Sequence, residues 1–311
     1  MKPEVRRAAE ILQRGGLVGF PTETVYGLGA DASSAEAVSR LYAAKRRPSD
    51  HPVIVHFADA EMAFAWASDV PQAARKLAEK FWPGPLTLIL KKSARAGDFV
   101  TGGQDTVGLR VPSHPVAQEL LRAFGGGIAA PSANRFGQLS PTTAGHVHAD
   151  LGADAELVLD GGPSEVGIES TIVDLSGGEP VLLRPGRISA VELEAFLGSP
   201  VLVKQIDSPR HSGGLERHYA PKTPARLVPT HELDQEIAGL KDKVAVLAFS
   251  RPDERVDFWL RMPREPKAYA QKLYAALREL DSARCEMILI EAPPEAPEWA
   301  GVRDRLMRAT I

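Results

Sequence analysis

A single cysteine, Cys285, occurs in the 311-residue chain. That excludes an internal disulfide and a thiolate metal cage, and it leaves the residue as a small buried hydrophobe. No apolar run approaches the roughly 18 residues that a membrane-spanning helix requires. The opening stretch "MKPEVRRAAEILQRGG" places Val5, Ala8, Ala9 and Leu12 at helical spacing, not in the unbroken apolar core of a signal peptide. A cytoplasmic protein is therefore expected. Charge of one sign is also lacking: the formal net charge is -3, so no whole-molecule attraction to nucleic acid operates and any anion site has to be local. There is no G-x-x-x-x-G-K-[ST] loop, no H-E-x-x-H and no G-x-S-x-G, which sets aside the P-loop, zincin and serine-hydrolase classes. Gly125, Gly127 and Ala130 fit G-x-G-x-x-A, but they follow a helical pattern and precede a strand. They read as a helix stop and not as a phosphate cradle.

What is there is an ordinary soluble composition, 44% hydrophobic and 25% charged, in a chain long enough for two domains. Up to about residue 200, the runs "GLVGF", "HPVIVHF", "PLTLILKK", "TVGLRVP", "GGIAAPSAN", "ELVLDGG" and "STIVDL" read as strands, with helical patterns such as "SAEAVSRLYAAKRR" and "PQAARKLAEKFW" between several of them. Some strands follow each other directly, which predicts a mixed sheet in an α/β domain. The segment 204–224, "KQIDSPRHSGGLERHYAPKTP", loses periodicity and reads as a linker. Beyond it, "KVAVLAF", "EPKAYAQKLYAALRELD" and "CEMILIEA" predict a small doubly wound α/β unit over 225–311.

Polar groups concentrate where strands end. "GFPTETVYGLGADA" follows a strand and precedes a helix starting near Ser33 or Ser34, at the sheet edge where α/β proteins bind ligands. Its threonines read either as turn-capping groups or as a pocket wall. Lys45, Arg46 and Arg47 end a helix that Pro48 stops. They suit the helix dipole or, with His51 and His56 nearby, a polyanion such as a nucleoside triphosphate. In "PSAN", Ser132 and Asn134 leave a strand with a period of two and would point the same way unless the chain has turned. Ser140 reads as a helix cap or a ligand contact, and Arg184 sits between "VLL" and Pro185.

Taken in order, "GFPTETVYGLGADA", "KRRPSDHPVIVHF", "FWPGPLTLIL", "VGLRVPSHP", "APSAN" with "SPT", "ESTIVD" and "LLRPG" resemble the Sua5/YrdC family, and "HYAPKTP" with the second α/β unit resembles its long Sua5 branch. The resemblance implies a YrdC-like domain over 1–203, with a twisted mixed sheet around a concave basic cavity, a linker over 204–224 and a small Rossmann-like domain over 225–311. It implies threonylcarbamoyl-AMP synthase activity, a nucleotidyl transfer in which L-threonine, bicarbonate or CO2 and ATP give threonylcarbamoyl-AMP and pyrophosphate. The product would pass to a tRNA threonylcarbamoyltransferase that modifies adenosine 37 of tRNAs reading ANN codons. The K-x-R and S-x-N signatures fall on Lys45, Arg47, Ser132 and Asn134 as catalytic residues. Threonine would be held by Thr24, His56, Arg110, the backbone at Ala130 and Ser170. ATP would meet Arg47, His51, Thr106, Ser132, Ser140, Arg184 and Tyr219, where His51 stands in place of the Asn of many relatives. Mg²⁺ would ride on the phosphates with no dedicated protein ligands. The competing expectation is a double-stranded RNA or tRNA-binding module, and weak tRNA binding is compatible with the synthase.

Overall fold

In the computed structural model, which describes residues 2–203, 208–214, 218–240, 243–254 and 256–310, two sheets organise the chain. The linker expected over 204–224 therefore includes 204–207 and 215–217, which lie outside the described residues. The strands of the larger sheet are β1 (Val18–Phe20), β2 (Gly27–Asp31), β3 (Ile54–His56), β4 (Leu86–Lys91), β5 (Thr106–Arg110), β6 (Ile128–Ala129), β7 (Leu157–Val158), β8 (Thr171–Asp174), β9 (Val181–Arg184) and β10 (Leu202–Val203). Among the described residues they run in the order β10-β9-β8-β4-β5-β3-β6-β2-β1-β7. The sheet is mixed, as expected: β3 lies parallel to β5 and β4 to β8, whereas β4–β5, β3–β6 and β8–β9 are antiparallel.

Local chemistry sets the elements. In β4 the residues Leu86 to Leu90 are all buried, the pattern of a strand covered on both faces. The helix Ala35–Lys45 starts where the Ser34 side chain accepts from the Ala37 amide, a conventional N-cap. The helix Pro115–Phe124 has Pro115 in its first turn and ends at Gly125 with φ 75°. Gly125 is thus the left-handed stop read from the sequence.

The second sheet is wholly parallel: β11 (Ala225–Val228), β12 (Val244–Ala248), β13 (Phe258–Arg261) and β14 (Met287–Glu291), in the order β11-β14-β12-β13. The helix Pro266–Ser282 buries Tyr269, Ala270, Leu273, Tyr274, Leu277 and Leu280, a helical stripe, and Cys285 is buried nearby in the same cluster. That cluster also takes in Val25, Leu139, Ile168 and Tyr219. Residues of the first loop and of the linker therefore share one apolar core with the second domain.

Candidate functional site

The loop between β1 and β2 uses its threonines in two ways. Thr22 Oγ1 donates to the Val25 carbonyl at 2.6 Å and accepts from the Thr24 amide at 3.2 Å, closing a turn. The turn leaves Thr24, within 2.8 Å of Thr22 Oγ1, on the wall of a cavity. Both readings of the loop hold, each for a different residue. Between them, Glu23 accepts from Arg110 at 2.7 Å and from the Ser113 amide at 3.1 Å.

Arg46, with φ 53°, ends the helix Ala35–Lys45 in the left-handed conformation. This reversal separates the two neighbouring cations. Arg47 lines the cavity, donates to the Pro52 carbonyl at 3.0 Å and lies over the Phe136 ring. Lys45 is 1% exposed and gives its ammonium to the carbonyls of Ser132 and Asn134. Burial and the Arg47 charge push the Lys45 ammonium well below its ordinary pKa, with Asp150 opposing. Lys45 thus sets the shape of the loop carrying Ser132.

Ser132, Ala130 and His56 line the same cavity, as do Arg110, Ser170 and Arg184. His56 is buried on β3, its Nδ1 has no hydrogen-bond partner among the described residues, and burial with the Arg110 charge brings its pKa to about 3. Arg184 donates from Nε to the Ser170 carbonyl at 3.0 Å and from its guanidinium to Ser170 Oγ at 3.1 Å. Ser170 Oγ also lies 2.8 Å from Thr87 Oγ1.

The linker closes the cavity. Ser212, Gly213, His218 and Tyr219 line it, and Arg184 donates to the Ser212 carbonyl at 2.8 Å. Tyr219 holds φ 58° and is 1% exposed. That backbone region is rare for a bulky residue and persists only where the surroundings enforce it. Neither ring nitrogen of His218 has a hydrogen-bond partner among the described residues, and burial brings its pKa to about 3. The free space in it is about 50 Å³, far below the roughly 300–1,000 Å³ of small-molecule sites. A cleft of about 650 Å³ between the domains, lined by Val166, Val191, Pro266 and Val302 among others, is larger. It lacks the convergence of buried guanidiniums and hydroxyls that distinguishes the closed cavity.

Not every expected site residue reaches this wall. The Asn134 amide nitrogen is taken by the carbonyls of Arg135 at 2.7 Å and Gln138 at 2.8 Å. The chain has turned there, and Asn134 does not share the direction of Ser132. Ser140 donates to Glu169, His51 stacks edge-on against Phe136 at 5.4 Å, and Thr106 lines an adjoining crevice with His211 and Ser212. Sequence reasoning assigns no role to Glu23, Glu169 or Arg305. Glu169 lines the cavity and accepts from Arg305 Nε at 2.7 Å and from the Tyr274 hydroxyl at 3.0 Å. Burial alone would raise its pKa, but Arg305, Arg184 and the Ser140 hydroxyl outweigh that and bring the carboxyl to about 2. The only signal in the sequence is a glutamate inside each strand-edge motif, with no partner readable nearby. Among the described residues no cluster of His, Cys, Asp or Glu is arranged to hold a metal ion, and no helix is long and apolar enough to cross a membrane.

Comparison with known proteins matches this architecture along nearly its whole length. The Sua5/YciO/YrdC family model, described as "Telomere recombination", matches residues 10–186, and a model described as "Threonylcarbamoyl-AMP synthase, C-terminal domain" matches residues 188–310. Threonylcarbamoyl-AMP synthase of Pyrococcus abyssi is 40% identical over 99% of this chain and 94% of its own. The Bacillus subtilis protein of the same name is 39% identical over 99% and 93%. The crystal structure of P. abyssi Sua5 complexed with L-threonine superposes with a TM-score of 0.92 at 38% identity, covering 98% of this chain and 93% of that one. With both halves matched and full-length relatives well above the level at which fold alone is shared, the chain belongs to the Sua5/YciO/YrdC family, in the form that carries a Sua5-type C-terminal domain.

Proposed function

We propose that the protein is an L-threonylcarbamoyladenylate synthase, a nucleotidyltransferase that converts L-threonine, bicarbonate or CO2 and ATP into threonylcarbamoyl-AMP and pyrophosphate. The observation that carries the reading is the cavity wall: Arg47, Arg110 and Arg184 converge with Thr24, Ser132 and Ser170, and no cysteine stands among them. The relatives' shared name and the threonine complex of P. abyssi Sua5 support it.

In the proposed chemistry, threonine's neutral amine bonds to the carbon of CO2 and gives up one proton to solvent, the resulting carbamate oxygen forms a bond to the α-phosphorus, and the bond from that phosphorus to the pyrophosphate oxygen breaks. Both reactants are anionic, so their approach depends on oriented cations and donors more than on a covalent nucleophile. Thr24, His56, Arg110, Ala130 and Ser170 form the threonine side of the cavity in this reading. Arg47, Ser132, Arg184 and Tyr219 form the nucleotide side, which adjoins His51, Thr106 and Ser140. His56, held neutral by burial, is suited to accept or donate a hydrogen bond without competing charge. Lys45 and Asn134 act through the loop of Ser132. Mg²⁺ would be held mainly by the ATP phosphates and would offset part of their charge. In this reading the linker residues Ser212, Gly213, His218 and Tyr219, which line the cavity, cover the nucleotide and exclude water from the adenylate. The working division is 1–203, 204–224 and 225–311, in the cytoplasm, with the product handed to a tRNA threonylcarbamoyltransferase.

A tRNA-binding module is less favoured, because Arg47, Arg110 and Arg184 are buried, whereas a folded RNA, too bulky to enter the cavity, needs cations on the protein surface to meet its phosphates. The deciding experiment is product analysis with ATP, Mg²⁺, labelled bicarbonate and each amino acid in turn. Pyrophosphate release requires threonine and bicarbonate together; equal release without threonine rejects the reading.

A further inference from the structure

Arg305 comes from the last helix of the second domain, Ala300–Ala309, yet it is fully buried against the first. Each nitrogen of its guanidinium has a partner. Nε meets Glu169 Oε2 at 2.7 Å, one terminal nitrogen meets the Pro185 carbonyl at 2.9 Å and Asp304 at 2.6 Å, and the other meets the Glu169 carbonyl at 3.2 Å. The same guanidinium lies over the Tyr219 ring, 5.4 Å from its centroid. The other Glu169 contacts are Ser140 and Tyr274, and Glu169 itself faces the cavity.

The bland reading is interdomain glue. An apolar cluster already joins the domains through Val25, Ile168 and Tyr219, and a buried ion pair gains little over apolar packing because desolvation offsets its attraction. Glu169 also lines the cavity proposed to take an anion, where an uncompensated carboxylate would repel the ligand.

We infer that Arg305 is a positioning residue of the nucleotide site: it neutralises and fixes Glu169, and so lets a triphosphate approach Arg184 and Tyr219. Through this guanidinium, with the Tyr274 hydroxyl beside it, the second domain takes part in the reaction without touching substrate. The inference rests on the nucleotide reading above.

The test uses the full chain and Mg-ATP, with affinity measured by calorimetry and turnover by pyrophosphate release. Arg305→Met leaves Glu169 without its main counter-charge and weakens Mg-ATP roughly tenfold or more, raising KM more than it lowers kcat. Adding Glu169→Gln recovers most of that loss, because the repelling charge is gone. Arg305→Met binding Mg-ATP like the unaltered chain overturns the inference and leaves the nucleotide site standing. So does a double variant as weak as the single one, since that means Arg305 acts only as structure. Failure of the unaltered chain to bind Mg-ATP overturns the nucleotide reading as well. If Arg305→Met does not fold, Glu169→Gln alone decides. Keeping Arg305 and Arg184 unopposed, it tightens Mg-ATP binding by roughly twofold or more; weaker binding means that Glu169 itself serves the nucleotide and overturns the inference.

Discussion

Two buried Arg–Glu pairs each send one member, Arg110 or Glu169, to the cavity wall, and they differ in where their partners come from. Arg110 and Glu23, 2.7 Å apart, both belong to the first domain, on β5 and on the loop after β1. Arg305 and Glu169, also 2.7 Å apart, are contributed by different domains. The first pair forms whenever the large sheet forms. The second exists only when the domains are docked, and the linker residue Tyr219 is sandwiched into the same assembly. The proposed threonine side is therefore complete within one folding unit, and the proposed nucleotide side is conditional on the rest of the chain.

The sharpest way to break this comparison is to remove a partner from the self-contained side. Arg110→Ala strands Glu23 in the interior and costs about 3–5 kcal/mol of stability. It should also abolish threonine binding. Urea unfolding measures the first effect and calorimetry the second. A variant of unchanged midpoint that still binds threonine would mean that the two pairs are equally dispensable.

Next comes the pair of neighbouring cations that the left-handed Arg46 sends apart. Arg47→Ala should lower turnover by roughly two to three orders of magnitude, as loss of about 3–4 kcal/mol of charge stabilisation does elsewhere, with little change in melting temperature. Lys45→Ala should lower turnover too, but together with a fall in melting temperature, because two carbonyls lose their donor. Equal melting temperatures for the two variants would place Lys45 at the substrate after all.

A smaller effect is expected from Tyr219→Ala on the conditional side. It should raise KM for ATP severalfold while the affinity for threonine stays as it is, since the ring closes over Arg184 and Arg305 and leaves the Arg110 side alone. A matched loss of both affinities would merge the two sides into one cooperative unit.

The smallest effect is on pH dependence near neutrality. His56 and His218 both have folded pKa values of about 3 against an ordinary 6.5. Below about 6.5 the unfolded chain binds protons that the folded chain refuses, so stability falls as pH drops from 6.5 toward 3. Glu169, at about 2 against an ordinary 4.5, contributes stability that is present above 4.5 and is lost as pH falls toward 2. Melting temperature should therefore begin to decline between pH 6.5 and 5.5, above the range in which Glu169 contributes. His56→Gln should flatten that first decline. Stability constant down to pH 5 would mean that neither histidine is neutral in the folded chain.

Much of this architecture is legible in the sequence. The alternation of strands and helices, the mixed first sheet, the parallel second unit and the strand-edge loops follow from apolar periodicity and turn residues, which are local properties. Thr24, Arg47, His56, Arg110, Ser132 and Ser170, which line the cavity, each lie inside one of the motifs that carry the family resemblance, and what each binds remains the proposal. Lys45 and Asn134 are legible as important and not as what they do. Both spend their side-chain donors on backbone carbonyls, and a carbonyl is invisible in a sequence. Glu23, Glu169 and Arg305 are legible only as charges. Glu23 finds its partner 87 residues away and Glu169 finds its partner 136 residues away, and nothing in either neighbourhood names the other end.

The sequence by itself determined which residues are apolar, which turns are possible and which short stretches gather donors and cations. Those choices are made over a few residues, where propensity, capping and periodicity operate. Only the tertiary structure decided which charges are neutralised, which donors remain for a ligand and how far the linker closes the cavity. Each of these depends on burial and on partners brought together from distant parts of the chain, and the energy of a charge is set by its surroundings far more than by its identity.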